Sequence, residues 1–450
     1  MIMFMKYSYW YVKILYCVCF FVFFIYFLKK WNKSKIVFTP FNFQVIFFAF
    51  IIFVVSPFQY NYLLSNTWST FSTQEFIIYL NEAYTVNLLG FIAMGISMAY
   101  YEKKQIKGKL FRQMLNIPYA NIRTSKVYNV AFIVGIIYVC YIVVQSKGIP
   151  ILNGKRFYVE TGQFVYLLIN AMTYILAWYC VGTYAGKRVK IAHTLIFIIL
   201  VTGLLMTGNR TPILRILYAF FLMLVTFRNR LNYKTVFKQL KYIVYILGMG
   251  ILLILIRNGN TLASIGELLY RYILYGSTFC DIRDGARVLW GYHGMYTTPL
   301  YGKTFLASLL SFVPTSAEGI PGISEIARFR QMYSGGTWST KTLFGIENHY
   351  GLRGGMFLPA YTNYGIVGIF VIAVILGYWF GNCEILFEEM VKEPKRYDIR
   401  RVMFSYCFVN ILFELLYAPA GFNSFWGYLV VLFIIIAFSG FKIRLRAKEI

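Results

Sequence analysis

The chain has 450 residues, of which 59% are hydrophobic, 20% aromatic and only 14% charged. A soluble domain carries about 25% charged residues, so this composition excludes a soluble globular protein. The apolar runs are long enough to cross roughly 30 Å of hydrocarbon as helices, and they lack the alternation of a transmembrane barrel. We therefore expect an all-α polytopic membrane protein.

Hydropathy predicts about 11 transmembrane helices, with a range of 10–12. We interpret the first as a retained helix and not as a signal peptide. Three regions follow: helices 1–8 with short loops over 1–257, one large loop over 258–355, and helices 9–11 with a basic tail over 356–450. The predicted spans lie near 8–28, 38–57, 82–100, 127–145, 164–184, 191–207, 212–227, 242–257, 356–382, 402–418 and 424–440.

The net charge of +27 is a topology signal. Most of the 44 lysines and arginines cluster in alternate connections between the predicted spans. The positive-inside rule makes those connections cytoplasmic, which places the C-terminus inside and, with an odd number of spans, the N-terminus outside. None of the clusters carries a recognisable nucleic-acid-binding fold, so nucleic acid is not an expected partner. The basic clusters are 29–35, 101–126, 187–190, 228–241, 392–401 and the C-terminal tail.

The connection over 258–355 is long for a compact protein, and loops of that length are usually functional. It combines aromatic and aliphatic runs, such as ELLYRYILY and KTFLASLLSFV, with glycine and proline breakers. This pattern is unlike a disordered tail. It predicts short amphipathic helices at the outer membrane surface.

Cysteine and histidine usage points to chemistry without a metal or cofactor. Of seven cysteines, only Cys280 falls in the large loop, so a disulfide framework is not expected. The three histidines are His193, His293 and His349, and the chain has no HExxH or paired CxxC motif. A dedicated metal site is therefore not expected.

The stretch TGNRTPIL contains Arg210 at the turn between two predicted spans, with Arg215 further along the second. An arginine within a span costs roughly 2.5–3.5 kcal/mol, so it usually faces a cavity or a partner. One interpretation is that Arg210 snorkels to the outer headgroups. The other is an anion site, because Gly208 and Asn209 permit a tight turn and Pro212 suits the first turn of the next helix.

Two stretches of the large loop carry further charges. In CDIRDGARVL, the arginines Arg283 and Arg287 share a helix face, and the acidic residues Asp281 and Asp284 lie beside them. Internal salt bridges, such as Asp284 with Arg287, are as good an interpretation as a functional role.

The passage ENHYGLRGGMFLPAYTNYGIVG leads from the loop into the ninth predicted span. Glu347, His349 and Arg353 precede a glycine pair, and an Asn363–Gly365 step follows at membrane depth. Glycines within a span are typical of close helix packing. A histidine and an arginine directly above that packing favour a functional site.

These features together resemble the bacterial O-antigen polymerase family, also called Wzy-type or oligosaccharide repeat-unit polymerases. The resemblance rests on the many spans, one large outer loop late in the chain, and three short stretches. Those stretches are the GNRTP element opening a helix, the outer GIPIL element at Gly148–Leu152, and the loop-to-helix passage ending in NYGIVG. The implied membrane fold is GT-C-like.

The resemblance implies that the protein polymerises oligosaccharide repeat units linked to undecaprenyl diphosphate, at the outer face of the bacterial cytoplasmic membrane. The product would be O-antigen or capsular polysaccharide. Expected partners are the lipid-linked oligosaccharide, membrane lipids, a chain-length regulator and a flippase. By similarity with the family's outer-loop arginines, Arg210 and Arg353 would bind the substrate diphosphate.

The chemistry of individual residues adds further candidates to the site that the resemblance implies. The remaining candidates for diphosphate binding are Arg287 and Arg215, since arginine grips phosphate bidentately and stays charged. For the general base, His349 ranks first. Glu347, Asp281 and Asp284 follow it.

Two alternatives remain open. An O-antigen ligase uses the same donor with another acceptor, and it shares spans, loop and arginines with the polymerases. A polysaccharide flippase or other transporter would also be basic and polytopic, but it should show two similar halves and no single dominant loop. The chain has no internal repeat.

Overall fold

The computed structural model describes chiefly residues 73–104, 281–313, 315–335, 338–345 and 357–392, with single residues at a few other positions. Its elements are helices α1 (Thr73–Lys104), α2 (Asp281–Met295), α3 (Lys303–Leu309), α4 (Ser324–Tyr333) and α5 (Leu358–Lys392). Short 3₁₀ turns cover Leu310–Phe312 and Thr315–Gly319, and a π turn covers Trp338–Thr342. The residues described are helical or irregular and include no strand.

Two of these helices are long and apolar enough to cross a membrane, over Phe76–Lys104 and Leu358–Leu386. They correspond to the predicted spans 82–100 and 356–382. Both helices extend beyond the predicted spans, α1 at its start and α5 as far as Lys392. Hydropathy marks only the apolar window, whereas the helix continues into its polar flanks. The other predicted spans lie outside the described residues except for single positions.

Those single positions fall in the first, fourth and sixth predicted spans, and all are helical. Within the first and fourth spans they follow the spacing i, i+3, i+4, i+7, which places them on one helix face. Most are apolar and exposed, as expected for a surface in contact with lipid. They are Val18, Phe21, Val22, Ile25, Ile133, Ile136, Ile137, Cys140, Tyr141, Val144 and Leu195.

Helices α1 and α5 pack side by side and run in the same direction. Near their N-terminal ends, Tyr361 Oη donates to Glu82 Oε1 over 2.7 Å. Further along both helices, Ser97 Oγ donates to the carbonyl oxygen of Val374 over 3.2 Å. A parallel pair agrees with the predicted topology, in which the third and ninth spans cross the membrane in the same sense.

Glycine permits the close approach of these two helices. A Cβ at Gly377 would lie 2.5 Å from Ser97 Cβ and 2.7 Å from the carbonyl oxygen of Met94. One turn further, a Cβ at Gly381 would lie 3.0 Å from Tyr101 Cβ. At both contacts α5 contributes a glycine, so its backbone can approach α1 closely, as is common between membrane helices.

Gly365 has a different role from Gly377. No described atom lies within 4 Å of where its Cβ would be, so packing does not require glycine there. Its backbone instead has φ 63° and ψ −153°, which kinks α5 and which residues with a side chain avoid. Just before the kink, the carbonyl oxygens of Thr362 and Asn363 accept hydrogen bonds from Leu300 N and Tyr301 N at 3.0 and 2.9 Å.

The Asn363 side chain completes this junction between α5 and the large loop. Its Nδ2 atom donates to Thr304 Oγ1 and to the carbonyl oxygen of Pro359, and its Oδ1 atom accepts from Thr304 N. Tyr364 lies against Gly302, where a Cβ would overlap the tyrosine hydroxyl. The backbone φ of 84° at Gly302 also favours glycine. The predicted Asn363–Gly365 step is therefore the anchor of the loop on α5.

The loop beyond this anchor is folded. Val313, Ala317 and Ala327 form a small apolar core between α4 and the turns that precede it. The buried Arg330 donates from Nε to the carbonyl oxygen of Ala307 over 3.3 Å, which ties α4 to α3. The described residues between 281 and 333 thus contain short helices, while the large loop over 258–355 and its position at a membrane surface stay predictions.

Candidate functional site

Helix α2 lies against the N-terminal half of α1 because Gly285 lacks a side chain. A Cβ at Gly285 would lie 3.4 Å from Ala83 Cβ and 3.2 Å from the carbonyl oxygen of Gly354. The backbone at Leu352 is held by a 2.9 Å hydrogen bond from its N–H to Ser339 Oγ. The structure therefore brings the CDIRDGAR stretch next to the GLRGG passage, two regions that the sequence analysis singled out separately.

Within α2, Asp284 is buried at 5% exposure and pairs with two arginines. Its Oδ1 atom lies 3.0 Å from both Nε and Nη2 of Arg283, and 3.7 Å from Nη1 of Arg287. Arg287 is itself buried at 7% exposure. The predicted salt bridge between Asp284 and Arg287 is present, and this geometry favours a structural role for the carboxylate.

The other predicted site residues lie largely beyond what is described. Asp281 is the first residue of α2, and its side chain is not among those described. The remaining five fall outside the described residues, so their roles stay predictions: Arg210, Arg215, Glu347, His349 and Arg353.

A second polar cluster lies where α1, α2 and α5 meet, and the sequence analysis did not predict it. Glu82 of α1 accepts two hydrogen bonds at Oε1, from Tyr361 Oη at 2.7 Å and from His293 Nε2 at 3.0 Å when that nitrogen carries the hydrogen. The side chains of His293 and Glu82 are 37% and 22% exposed. The cluster is therefore not sealed inside the described part of the protein.

Aromatic rings surround His293 on the same side. The Tyr79 ring stacks on the imidazole with centroids 5.8 Å apart, and Tyr292 meets it edge-on at 5.2 Å. Tyr292 also stacks on Tyr296 at 5.8 Å. Burial, followed by the charge of Glu82 and the neighbouring Tyr301, raises the pKa of the Tyr292 phenol, so Tyr292 remains neutral at physiological pH.

Sequence reasoning missed this cluster because its members are far apart in the chain. Glu82 and His293 are separated by 211 positions, and Glu82 and Tyr361 by 279. One signal was available: Glu82 is an acidic residue at the edge of an otherwise apolar span, and such residues usually have a partner. Across the described part of the chain, no three His, Cys, Asp or Glu side chains converge as a metal site would require.

Comparison with known protein families identifies the chain. The family model described as "Putative O-antigen polymerase" matches residues 11–416. The chain belongs to the O-antigen polymerase family. This O-antigen polymerase is accordingly a helical membrane protein whose substrate is a lipid-linked oligosaccharide. Searches of curated proteins and of solved structures returned no match.

Proposed function

We propose that this O-antigen polymerase joins undecaprenyl-diphosphate-linked repeat units at the outer face of the bacterial cytoplasmic membrane. The observation that carries the proposal is the family match over residues 11–416. The growing chain is transferred from its lipid diphosphate to the non-reducing end of the next lipid-linked unit. The product is O-antigen or capsular polysaccharide.

The distribution of charge supports an outer-face reaction. Basic connections alternate with poorly charged ones, which favours a cytoplasmic C-terminus and an external loop over 258–355. The parallel packing of α1 and α5 fits an arrangement of about 11 spans (10–12) in a GT-C-like fold. The start of α5 at Leu358 supports the proposed boundary near 355, while the proposed boundary near 257 lies outside the described residues.

The chemistry needs cations and a base. As the bond from the anomeric carbon to the diphosphate oxygen breaks, negative charge grows on the leaving group, and fixed guanidinium groups stabilise it. Arginine suits this because it binds phosphate bidentately and stays charged. We assign this role to Arg210 and Arg353 first, and to Arg287 and Arg215 after them.

A base takes the proton from the acceptor hydroxyl as the new glycosidic bond forms. His349 is the first candidate among the residues predicted from the sequence, followed by Glu347 and Asp281. The sequence also offered Asp284, but its buried pairing with Arg283 and Arg287 favours a structural role for that carboxylate. Since a diphosphate is already an activated leaving group, the reaction is proposed to be independent of metals. A flippase that delivers the lipid-linked units and a chain-length regulator are the proposed companions.

The phenotype of a deletion strain tests the class of function. Loss of a polymerase should leave surface material carrying a single repeat unit and no ladder of longer chains on a polysaccharide gel. Normal polymer that stays on the lipid carrier would instead indicate a ligase. Lipid-linked units trapped on the inner face would indicate a flippase.

Complementation of that strain with Arg210→Ala tests the diphosphate site. We expect the variant to insert normally and to lose polymerisation, with a rate lowered by about two to three powers of ten. Arg210→Lys should restore the rate only in part, because an ammonium group cannot reproduce the bidentate contact. A normal ladder from Arg210→Ala would show that Arg210 is not part of the site.

A further inference from the structure

The cluster of Glu82, His293 and Tyr361 has a geometry that a purely structural contact does not need. A single oxygen atom of Glu82, Oε1, accepts the hydrogen bonds from both His293 and Tyr361. When His293 donates from Nε2 to this carboxylate, Nδ1 is the ring nitrogen that does not face Glu82. A carboxylate that holds one imidazole nitrogen fixes the tautomer and orients the other nitrogen for proton transfer.

The surroundings of His293 leave room for a substrate. Its side chain is 37% exposed, and no described atom lies within 4 Å of where a Cβ on the adjacent Gly294 would be. Tyr79, which stacks on the imidazole, and Tyr296, which stacks on Tyr292, are both partly exposed, so aromatic surface on which a sugar can pack lies near His293. A carbohydrate hydroxyl can therefore reach the imidazole.

We propose that His293, and not the sequence-predicted His349, is the general base for the acceptor hydroxyl, with Glu82 and Tyr361 as positioning residues. This inference rests on the proposed polymerase function. The acceptor O–H bond breaks and its proton moves to His293 Nδ1, while the acceptor oxygen forms the new bond to the anomeric carbon of the donor. The diphosphate leaves with the electron pair of the broken bond. The imidazolium ion formed is stabilised by the Glu82 carboxylate, and it then returns the proton to solvent.

The placement of the cluster fits this role. Three helices contribute to it: α1 supplies Glu82, α2 supplies His293 and α5 supplies Tyr361. The same α2 helix lies beside the GLRGG passage that carries Arg353, through the contact of Gly285 with Gly354. Helix α2 thus carries the proposed base near its C-terminal end, and through Gly285 it packs against the segment proposed to bind diphosphate.

The test uses full-length purified protein with lipid-linked repeat units, and measures initial rates of polymer formation at increasing substrate concentration. His293→Gln should lower kcat about 10²- to 10⁴-fold, the usual contribution of a general base, with little change in KM. Glu82→Gln should lower kcat at least about tenfold, because the amide oxygen still accepts both hydrogen bonds but carries no charge to stabilise the imidazolium ion.

Two further variants separate catalysis from structure. Tyr361→Phe removes one hydrogen bond and keeps the contact of Glu82 with His293, so it should lower kcat less than Glu82→Gln does. Glu325→Gln, at an exposed position of α4, should match the wild type. Thermal unfolding of each variant in detergent is measured alongside the rates.

The outcomes are distinguishable. A wild-type protein that makes no polymer from repeat units would remove the proposed function itself. Normal polymerisation by both the wild type and His293→Gln would overturn this inference alone. A loss of activity that matches a loss of folded protein, with kcat per folded molecule unchanged, would assign the cluster a structural role and also overturn it.

Discussion

At the scale of single residues, the surroundings of Asp284 and Glu82 distinguish a structural carboxylate from one that positions a proposed base. Asp284 is buried, and one of its oxygen atoms lies within 3.0 Å of two nitrogen atoms of Arg283. Glu82 also accepts two hydrogen bonds, but its histidine partner is 37% exposed. A buried ion pair holds charges in place, whereas a partly exposed imidazole held by a carboxylate can meet a substrate.

Asp284→Asn should therefore lower stability more than turnover. The change leaves the buried guanidinium of Arg287 beside a neutral amide, and loss of one partner from a buried pair costs on the order of 3 kcal/mol. The expected readout is a lower apparent melting temperature of the purified protein in detergent, with near-normal polymerisation by the molecules that remain folded.

A matched control is Glu318→Gln, which removes the exposed ion pair between Glu318 and Arg328. An exposed pair contributes only about 0–1 kcal/mol, so this variant should unfold close to the wild-type temperature. Wild-type stability combined with complete loss of activity in Asp284→Asn would instead make Asp284 a candidate for the base.

At the scale of elements, glycine has two separate uses in α5. Gly377 permits contact with α1, whereas Gly365 permits a backbone conformation that kinks the helix. The kink lets backbone carbonyl groups of α5 accept hydrogen bonds from Leu300 and Tyr301 of the large loop. The direction in which α5 begins and the position of the loop are therefore coupled.

Gly377→Ala tests the contact between α1 and α5. The added methyl group would lie 2.7 Å from the carbonyl oxygen of Met94, a backbone atom that cannot move without displacing the helix. We expect a lower yield of folded protein and a lower melting temperature in detergent, because overpacking costs about 1–3 kcal/mol.

The control for that variant is Gly95→Ala in α1, where no described atom lies within 4 Å of the new methyl group. Alanine favours helix over glycine by about 1 kcal/mol, so this variant should be as stable as the wild type or more so. Equal behaviour of the two alanine variants would argue against close packing at Gly377.

At the scale of the whole molecule, the central prediction concerns orientation across the membrane. In a cysteine-free background that retains activity, Ile320→Cys in the large loop should react with a membrane-impermeant maleimide added to intact cells. Lys104→Cys, at the end of α1, should react only after the membrane is opened. Both positions are exposed, so accessibility within the protein does not decide the result.

Labelling of Ile320→Cys only after lysis would place the large loop in the cytoplasm. It would contradict both the positive-inside assignment and an outer-face reaction. Since α1 and α5 run in the same direction, the result for Lys104→Cys also fixes the side on which α5 ends.

The sequence by itself indicated the class of protein, two helices long and apolar enough to cross a membrane, and the family. Hydrophobic content and the placement of basic residues are local properties, and the bilayer selects on them directly. The sequence also indicated the Asn363–Gly365 step and the charged residues of α2 as candidate functional features. It predicted the pairing of Asp284 with Arg287 as one interpretation, because helix periodicity brings residues three apart together.

Only the tertiary structure decided which of these features meet. Glu82 lies more than 200 positions before His293 and Tyr361 in the chain, and no local pattern predicts which faces of packed helices point at one another. The sequence likewise left the role of Gly365 undecided, because a glycine in a predicted span can serve either close helix packing or a kink. Its positive φ and the hydrogen bonds from the loop settled that choice, because backbone conformation depends on the partners that the chain finds only when folded.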